Sequence, residues 1–288
     1  MKKSRLSKIL TVSLAAVMVF SLASCGGGSG SADGEDITVI SREEGSGTRD
    51  AFTELTGVLQ DDVDKTVDTA EISNSTSVVT QSVAGNAAAI GYISLGSLDD
   101  SVKAVKVDGV DATVDNVKSG DYKLQRPFNI VTKGDVAELP QDFIDFIMSA
   151  EGQKIVEEEG YITVNENAES YEASGLKGTI TLAGSTSVSP VMEVLADKYK
   201  ELNSGVTIEI QQTGSGAGIQ STSEGVCDIG MASRALEDEE QSQGLTSQEI
   251  ALDGIAVIIN SDNAVEDLTT EQIMKIFTGE ITNWADVK

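Results

Sequence analysis

The sequence predicts an α/β protein, and three observations carry that prediction. Short β-rich runs alternate with helix-patterned runs from about residue 36 onward, the order expected when strands pair side by side under packed helices. Three joints between strand and helix are loops of glycine and hydroxyl residues. The 288 residues suffice for one large or two medium domains, each with its own core.

Residues 1–24 stand apart. Lys2, Lys3, Arg5 and Lys8 form a basic start, and Ile9 to Leu22 is an apolar run too short and too rich in Ser and Ala to span a membrane. Leu22-Ala23-Ser24-Cys25 closes it with a lipobox pattern. A lipoprotein signal peptide is therefore expected, with Cys25 lipidated and the protein held on the extracellular face of the cell membrane. Residues 25–35 are rich in Gly and Ser and read as a flexible tether.

The elements then follow in order. Ile37–Ser41 reads as a strand, with a helix from about Thr48 to Gly57 and another over Ser75–Val83. Ala88–Ser94, Val102–Val107 and Asn129–Thr132 are strand candidates. Leu139-Pro140 opens a helix, because proline suits a first turn, and Phe143, Ile144, Ile147 and Met148 follow at helical spacing. A second helical stretch ends at Gly160. Residues 165–177 are polar without apolar period and read as a linker. Strand Thr179–Ala183, a helix opened by Ser189-Pro190, strand Val206–Gln211 and a helix to about Glu224 come next. Strands Cys227–Ala232 and Ile255–Ile259 and a helix over Thr270–Phe277, stopped by Gly279, complete the alternation. A largely parallel sheet follows from this order.

Composition removes several functions. Residues 1–24 carry four positive charges and no negative one, so without them the formal charge falls from −27 to −31. A chain this acidic repels nucleic acid, and it can hold an anion only through locally aimed donors. There is no His, which excludes His-based triads and His-containing metal sites. No G-x-x-x-x-G-K-[ST] loop or G-x-S-x-G elbow is present, and no carboxylate pair is singled out for catalysis. No cofactor or metal is expected. Cys25 and Cys227 are the two cysteines; Cys227 reads as a small buried residue in a strand. The Glu157–Glu159 and Glu237–Glu240 runs read as solvated faces.

The chemistry is expected in three loops: Gly184-Ser185-Thr186-Ser187, Thr213-Gly214-Ser215-Gly216-Ala217-Gly218, and Gly45-Ser46-Gly47-Thr48 with Arg42 just ahead. Each lies between a strand and a helix, where unpaired N–H groups and a partial positive charge favour an oxyanion. Glycine permits close backbone approach, and Ser and Thr supply short donors. One such loop is ordinary turn chemistry; three in one chain point to a site.

With these motifs the chain resembles the phosphate-binding proteins of ABC transporters, along nearly all its length after the signal. That family carries R-x-[DE]-G-S-G-T, matched by Arg42, Glu44, Gly45, Ser46, Gly47 and Thr48. Its first loop matches Gly184–Ser187, and its G-S-[GS]-x-G loop places a serine at Ser215. The resemblance implies a two-lobed type II periplasmic-binding-protein fold with a ligand cleft between the lobes. It implies phosphate donors at Arg42, Ser46, Gly47, Thr48, Thr186, Ser187 and Ser215, with Glu44 orienting Arg42. Where many members have an acidic residue, this chain has Ser233, followed by Arg234 as a possible second cation, so discrimination against sulfate stays open. Asp253 is read as a turn residue and Trp284 as a packed surface aromatic.

The order of these segments departs from the family's. Gly279–Lys288 precedes Ile37–Arg49 there, and the start-like Gly178–Ser187 lies here in mid-chain. The chain is therefore expected to be circularly permuted: one lobe split between residues 36–123 and 261–288, the other covering 124–260, with 165–177 joining the family's usual ends. The implied function is capture of inorganic phosphate for an ABC permease by a monomer anchored through lipid, and not an enzyme. Another tetrahedral oxyanion such as sulfate, or a phosphate-sensing lipoprotein, remains an alternative.

Overall fold

A computed structural model describes residues 34–287. The expected signal peptide, Cys25 and the tether up to residue 33 lie outside the described residues. The chain runs β1 (Thr38–Arg42), α1 (Gly47–Thr56), β2 (Leu59–Gln60), β3 (Val63–Asp64), β4 (Glu71–Ser73), α2 (Thr76–Ala84), β5 (Ala89–Ser94), β6 (Val102–Ala104), β7 (Lys106–Val107), α3 (Val114–Ser119) and β8 (Gln125–Lys133). It continues through α4 (Glu138–Ile147), α5 (Ala150–Glu158), β9 (Gly178–Gly184), α6 (Ser189–Leu202), β10 (Val206–Gln212), α7 (Ser215–Ser223), β11 (Ile229–Ala232), α8 (Asp238–Ser242), β12 (Leu245–Asn260), β13 (Asp267–Leu268) and α9 (Thr270–Phe277).

Local chemistry sets several of these boundaries. Pro190 occupies the first turn of α6, where its missing N–H costs nothing. The Ser75 hydroxyl caps α2 by accepting from the Val78 N–H. Thr269 and Gln272 form a reciprocal capping box on α9, and Gly57 ends α1 at φ +77°.

Nine strands form one continuous sheet, in the order β10-β9-β11-β8-β12-β5-β1-β4, with β6 also paired to β12. Pairing within each half is parallel, as expected, for β9 with β10 and β11 and for β1 with β4 and β5. The connecting strands β8 and β12 run antiparallel to their neighbours, so the sheet is mixed. β12 is the beam of the molecule: Leu245–Gly254 pairs with β8, and Ile255–Ile259 with β5. Only its second half was expected as a strand. Residues 246–249 are polar and exposed, so the backbone ladder to β8, rather than apolar alternation, makes the first half extended. Val102–Val107 divides into β6 on β12 and β7 on β13. Cys227 precedes β11 and is only half-buried, not a core strand residue.

Apolar side chains gather in two main cores. One joins Val39–Leu124 to Ile255–Trp284, and includes Phe52 stacked on Tyr92 at 3.9 Å between ring centroids. The other draws on residues 128–251, with Phe143, Phe146 and Tyr199 packed together. Smaller clusters lie elsewhere: Val79 and Val83 of α2 pack with Ile40 and Ile258, and Ile219 of α7 with Val131. Residues 255–259 of β12 therefore pack with the split lobe, ahead of the expected boundary at 260. Burying one such aromatic stabilises the lobe by about 3–5 kcal/mol, judged by truncation to alanine.

The two ends of the described chain lie side by side. The Ile37 N–H donates to the Thr282 carbonyl at 2.7 Å, and the Trp284 N–H to the Glu35 carbonyl at 3.1 Å. Trp284 is buried, not a surface aromatic, and its indole N–H donates to the Ala88 carbonyl at 2.9 Å. Residues 165–177 contain no strand or helix. Tyr171 fixes them to the neighbouring helices through a 2.6 Å bond to the Asp142 carboxylate. Among the described residues no helix is long and apolar enough to cross a membrane.

Candidate functional site

Four helix starts converge where the two lobes meet. From the split lobe come α1, entered through Gly45 and Ser46, and α2, which starts at Thr76. From the continuous lobe come α6, preceded by Ser185–Val188, and α7, which starts at Ser215. Each start follows a strand of the sheet, so the sheet aims all four toward one cleft. The four helices run 10, 9, 14 and 9 residues, long enough to present a positive end.

Glycine geometry makes the approach possible. Gly45 turns at φ +78° and Gly214 at φ +90°. The Gly216 N–H donates across the cleft to the Gly45 carbonyl at 2.9 Å, so the Thr213–Gly218 and Gly45–Thr48 loops touch backbone to backbone. A Cβ on Gly47 would stand 2.6 Å from Ser215 Oγ and 2.8 Å from Ser233 Oγ.

The hydroxyls form two groups at this contact, joined by the Ser187 N–H, which donates to Ser185 Oγ at 3.2 Å. Thr48 Oγ1 lies 2.9 Å from Ser187 Oγ. Thr76 Oγ1 lies 3.1 Å from Ser187 Oγ and 3.3 Å from Thr186 Oγ1. Ser185 Oγ donates to Ser233 Oγ at 3.0 Å, and Ser233 Oγ lies 3.3 Å from Ser215 Oγ. All of these residues are buried, as is Ser46, whose hydroxyl makes no helix-capping bond. A buried hydroxyl both donates and accepts, so the cluster can re-aim its protons toward an anion without leaving a group unpaired.

Arg42 brings the positive charge. It is 2% exposed, and its Nη2 donates to Thr186 Oγ1 at 3.0 Å. Its Nε and Nη2 grip Glu43 in a two-bond fork, each at 2.8 Å, while its Nη1 edge makes no hydrogen bond among the described residues. The expected partner Glu44 is displaced from that role. β1 ends at Arg42, and the Ser46 N–H closes a turn onto the Glu43 carbonyl at 3.2 Å. Glu43 is thereby folded against the guanidinium and Glu44 is left exposed. Arg49 reinforces the bend by donating to the Arg42 carbonyl at 2.8 Å.

Arg234 is also placed differently from expectation. Its guanidinium is spent on carboxylates: Glu240 at 2.7 and 2.8 Å, Glu237 at 3.5 Å, and Asp50 at 3.0 Å. It makes no hydrogen bond to the hydroxyl cluster. Glu240, expected on a solvated face, is the fork partner, held below the usual carboxylate range by Arg234 and the Glu237 N–H against the opposing effect of burial. Burial pushes the Asp50 carboxyl up, and Arg234 only partly reverses this.

Asp253 is not in a turn. It lies within β12 opposite Arg126 of β8, both about 1% exposed, and Arg126 donates to Asp253 Oδ2 through Nε at 3.2 Å and Nη2 at 3.1 Å. Ser94 of β5 donates to the other oxygen at 2.9 Å. This pair sits where the strands cross between lobes. Burial pushes the Asp253 carboxyl up to about 6, although Arg126 and Ser94 favour its charge.

The structure thus gathers Arg42, Ser46, Gly47, Thr48, Thr186, Ser187, Ser215 and Ser233 at one cleft and diverts Glu44 and Arg234. Thr76 and Ser185 join the cluster without having been expected. Ser185 stands inside a loop already singled out; Thr76 lacks a glycine neighbour, and only its strand–hydroxyl–helix order could have flagged it. Among the described residues no group of His, Cys, Asp and Glu could hold a metal.

Comparison with known proteins agrees with this geometry. Residues 21–151 and 169–288 match a family model described as a PBP superfamily domain. A phosphate-binding protein PstS 2 of Streptococcus agalactiae serotype V is 48% identical, the match covering 100% of this chain and 99% of the relative. That of Streptococcus pneumoniae serotype 4 is also 48% identical, over 99% and 100%. The crystal structure of a phosphate ABC transporter phosphate-binding protein from S. pneumoniae superposes with a TM-score of 0.72 at 49% identity, covering 88% of this chain and all of that one. The fold is the two-lobed mixed α/β fold of the periplasmic-binding proteins, and the chain belongs to the phosphate-binding proteins of that superfamily.

Proposed function

We propose that this protein binds inorganic phosphate outside the cell and delivers it to the permease of an ABC importer, without catalysing a reaction. One observation carries the reading: helix starts from both lobes meet at the buried Arg42, whose Nη1 makes no hydrogen bond among the described residues. Hydroxyls, backbone N–H groups and one guanidinium suit a small tetrahedral oxyanion, and among the described residues the carboxylate bonded to this cluster is that of Glu43, held by Arg42. Ligand contacts are assigned to Arg42, Ser46, Gly47, Thr48, Thr76, Thr186, Ser187, Ser215 and Ser233. The names of the streptococcal relatives support phosphate as ligand. The lipobox at Cys25 supports lipid anchoring on the outer face of the membrane.

A second reading rests on Ser233. With a hydroxyl rather than a carboxylate beside Ser185 and Ser215, nothing there repels a fully deprotonated anion by charge, which favours a broader oxyanion binder. Titration calorimetry of the mature chain with phosphate, sulfate and phosphate esters separates the readings. Phosphate heat alone fits the first, comparable sulfate heat the second, and no heat from a folded protein sinks both.

The permuted order belongs to the same proposal. The bonds joining residues 35–37 to 282–284 put the two ends of the described chain in one lobe, and the Tyr171–Asp142 bond secures the 165–177 connection across the other. Sedimentation of the purified protein tests this arrangement: a monomer is expected, and an obligate dimer would indicate exchange of the split lobe between chains.

A further inference from the structure

We propose that Arg234 and Asp50 form a latch between the lobes that sets how long a bound anion is held, without touching it. The inference rests on the oxyanion-binding reading above.

The latch is built asymmetrically. On the continuous lobe Arg234 is fixed before any closure by its own neighbourhood. Glu240 holds it by a fork, the Ala235 carbonyl accepts from Nη1 at 2.9 Å, and the Glu240 carboxylate is itself fixed by the Glu237 N–H at 2.8 Å. Only Nε reaches outward, to Asp50 Oδ2 on α1 of the split lobe. A guanidinium already oriented loses little further freedom on making that bond. The Arg234 side chain is 11% exposed and that of Asp50 38%, so the contact is partly shielded from water.

Its position couples it to the ligand site. Asp50 lies on the first turn of α1, two residues after Thr48, and Arg234 directly follows Ser233. Thr48 and Asp50 share one lobe and Ser187 and Arg234 the other, so relative motion of the lobes bears on both contacts. The charges explain why the arginine is needed. Asp50, Glu237 and Glu240 all meet at this edge, and Arg234 is the cation that lets three carboxylates approach each other. Because the bond joins two lobes, it stabilises the closed state over the open one, and its loss is expected in release rather than capture.

The test pairs Asp50→Asn with Asp50→Glu in the mature chain. Stopped-flow phosphate binding gives the rates, and small-angle scattering without phosphate gives the radius of gyration. Asp50→Asn should raise koff about three- to tenfold with kon within about twofold, and enlarge the radius of gyration. Asp50→Glu should return both toward wild type. Unchanged koff and radius in Asp50→Asn, or a loss divided equally between kon and koff, overturns the latch. If wild type binds no phosphate, the functional reading falls, while the scattering comparison still judges the latch.

Discussion

The Thr48 hydroxyl lies 2.9 Å from that of Ser187, 139 positions later in the chain and on the other lobe. Each belongs to a helix start, so the bond joins two positive helix ends at short range. Two like ends are poor neighbours without a negative charge near them. That juxtaposition, with Arg42 beside it, is the strongest physical argument for an anion in the cleft.

Arg42→Ala should therefore cost phosphate at least tenfold in affinity, about 1.4 kcal/mol. Arg42→Lys keeps the charge but loses the fork to Glu43 and should recover only part of it. Titration calorimetry on both variants checks this, and an Arg42→Ala protein within a few-fold of wild type would remove Arg42 from the site.

Neighbouring glutamates should behave differently. Glu43→Gln leaves the buried guanidinium without its counter-charge and should weaken binding several-fold; Glu44→Gln, on an exposed turn, should change it by less than twofold. Equal effects in a side-by-side calorimetric comparison would argue against the Glu43 assignment.

At Gly47 stability and binding should part company. Gly47 is the first residue of α1, and its Cβ would press only on the opposite lobe, so Gly47→Ala should melt close to wild type once the lobes part to admit the methyl. Its Cβ would meet Ser215 and Ser233 at under 3 Å across the cleft, and affinity should fall at least about tenfold. Thermal melts alongside calorimetry test the two halves separately.

Asp253 makes a prediction about pH. Its carboxyl titrates at about 6 when folded against an ordinary 3.8, so between those values the folded state holds a proton that the unfolded state has released. The stability advantage over Asp253→Asn should be fullest below about pH 4 and shrink by on the order of 3 kcal/mol as pH rises to about 6. Urea unfolding of both proteins from pH 4 to 7 measures the gap, and a gap that widened with pH would contradict the assignment.

Much of this was legible in the sequence because strands and helices here mostly carry their own signal. Ile37–Ser41, Ala88–Ser94 and Thr270–Phe277 fall within a residue of the observed elements, and the glycine–hydroxyl loops mark the cleft. Less legible were features decided by partners distant in the chain. Residues 246–249 are extended because β8 lies beside them, and Asp253 is buried because Arg126 faces it from 127 residues away. The Glu43 and Arg234 pairings depend on how a turn folds and which lobe approaches, and residue spacing encodes neither.

With residues 35–37 bonded to 282–284, tension applied at either end of the described chain enters through a single lobe. The continuous lobe is joined to it by the crossing strands β8 and β12 and by the contacts across the cleft. If the chain is anchored at Cys25 as proposed, a pull from that side would move the whole clamp rather than prise its lobes apart.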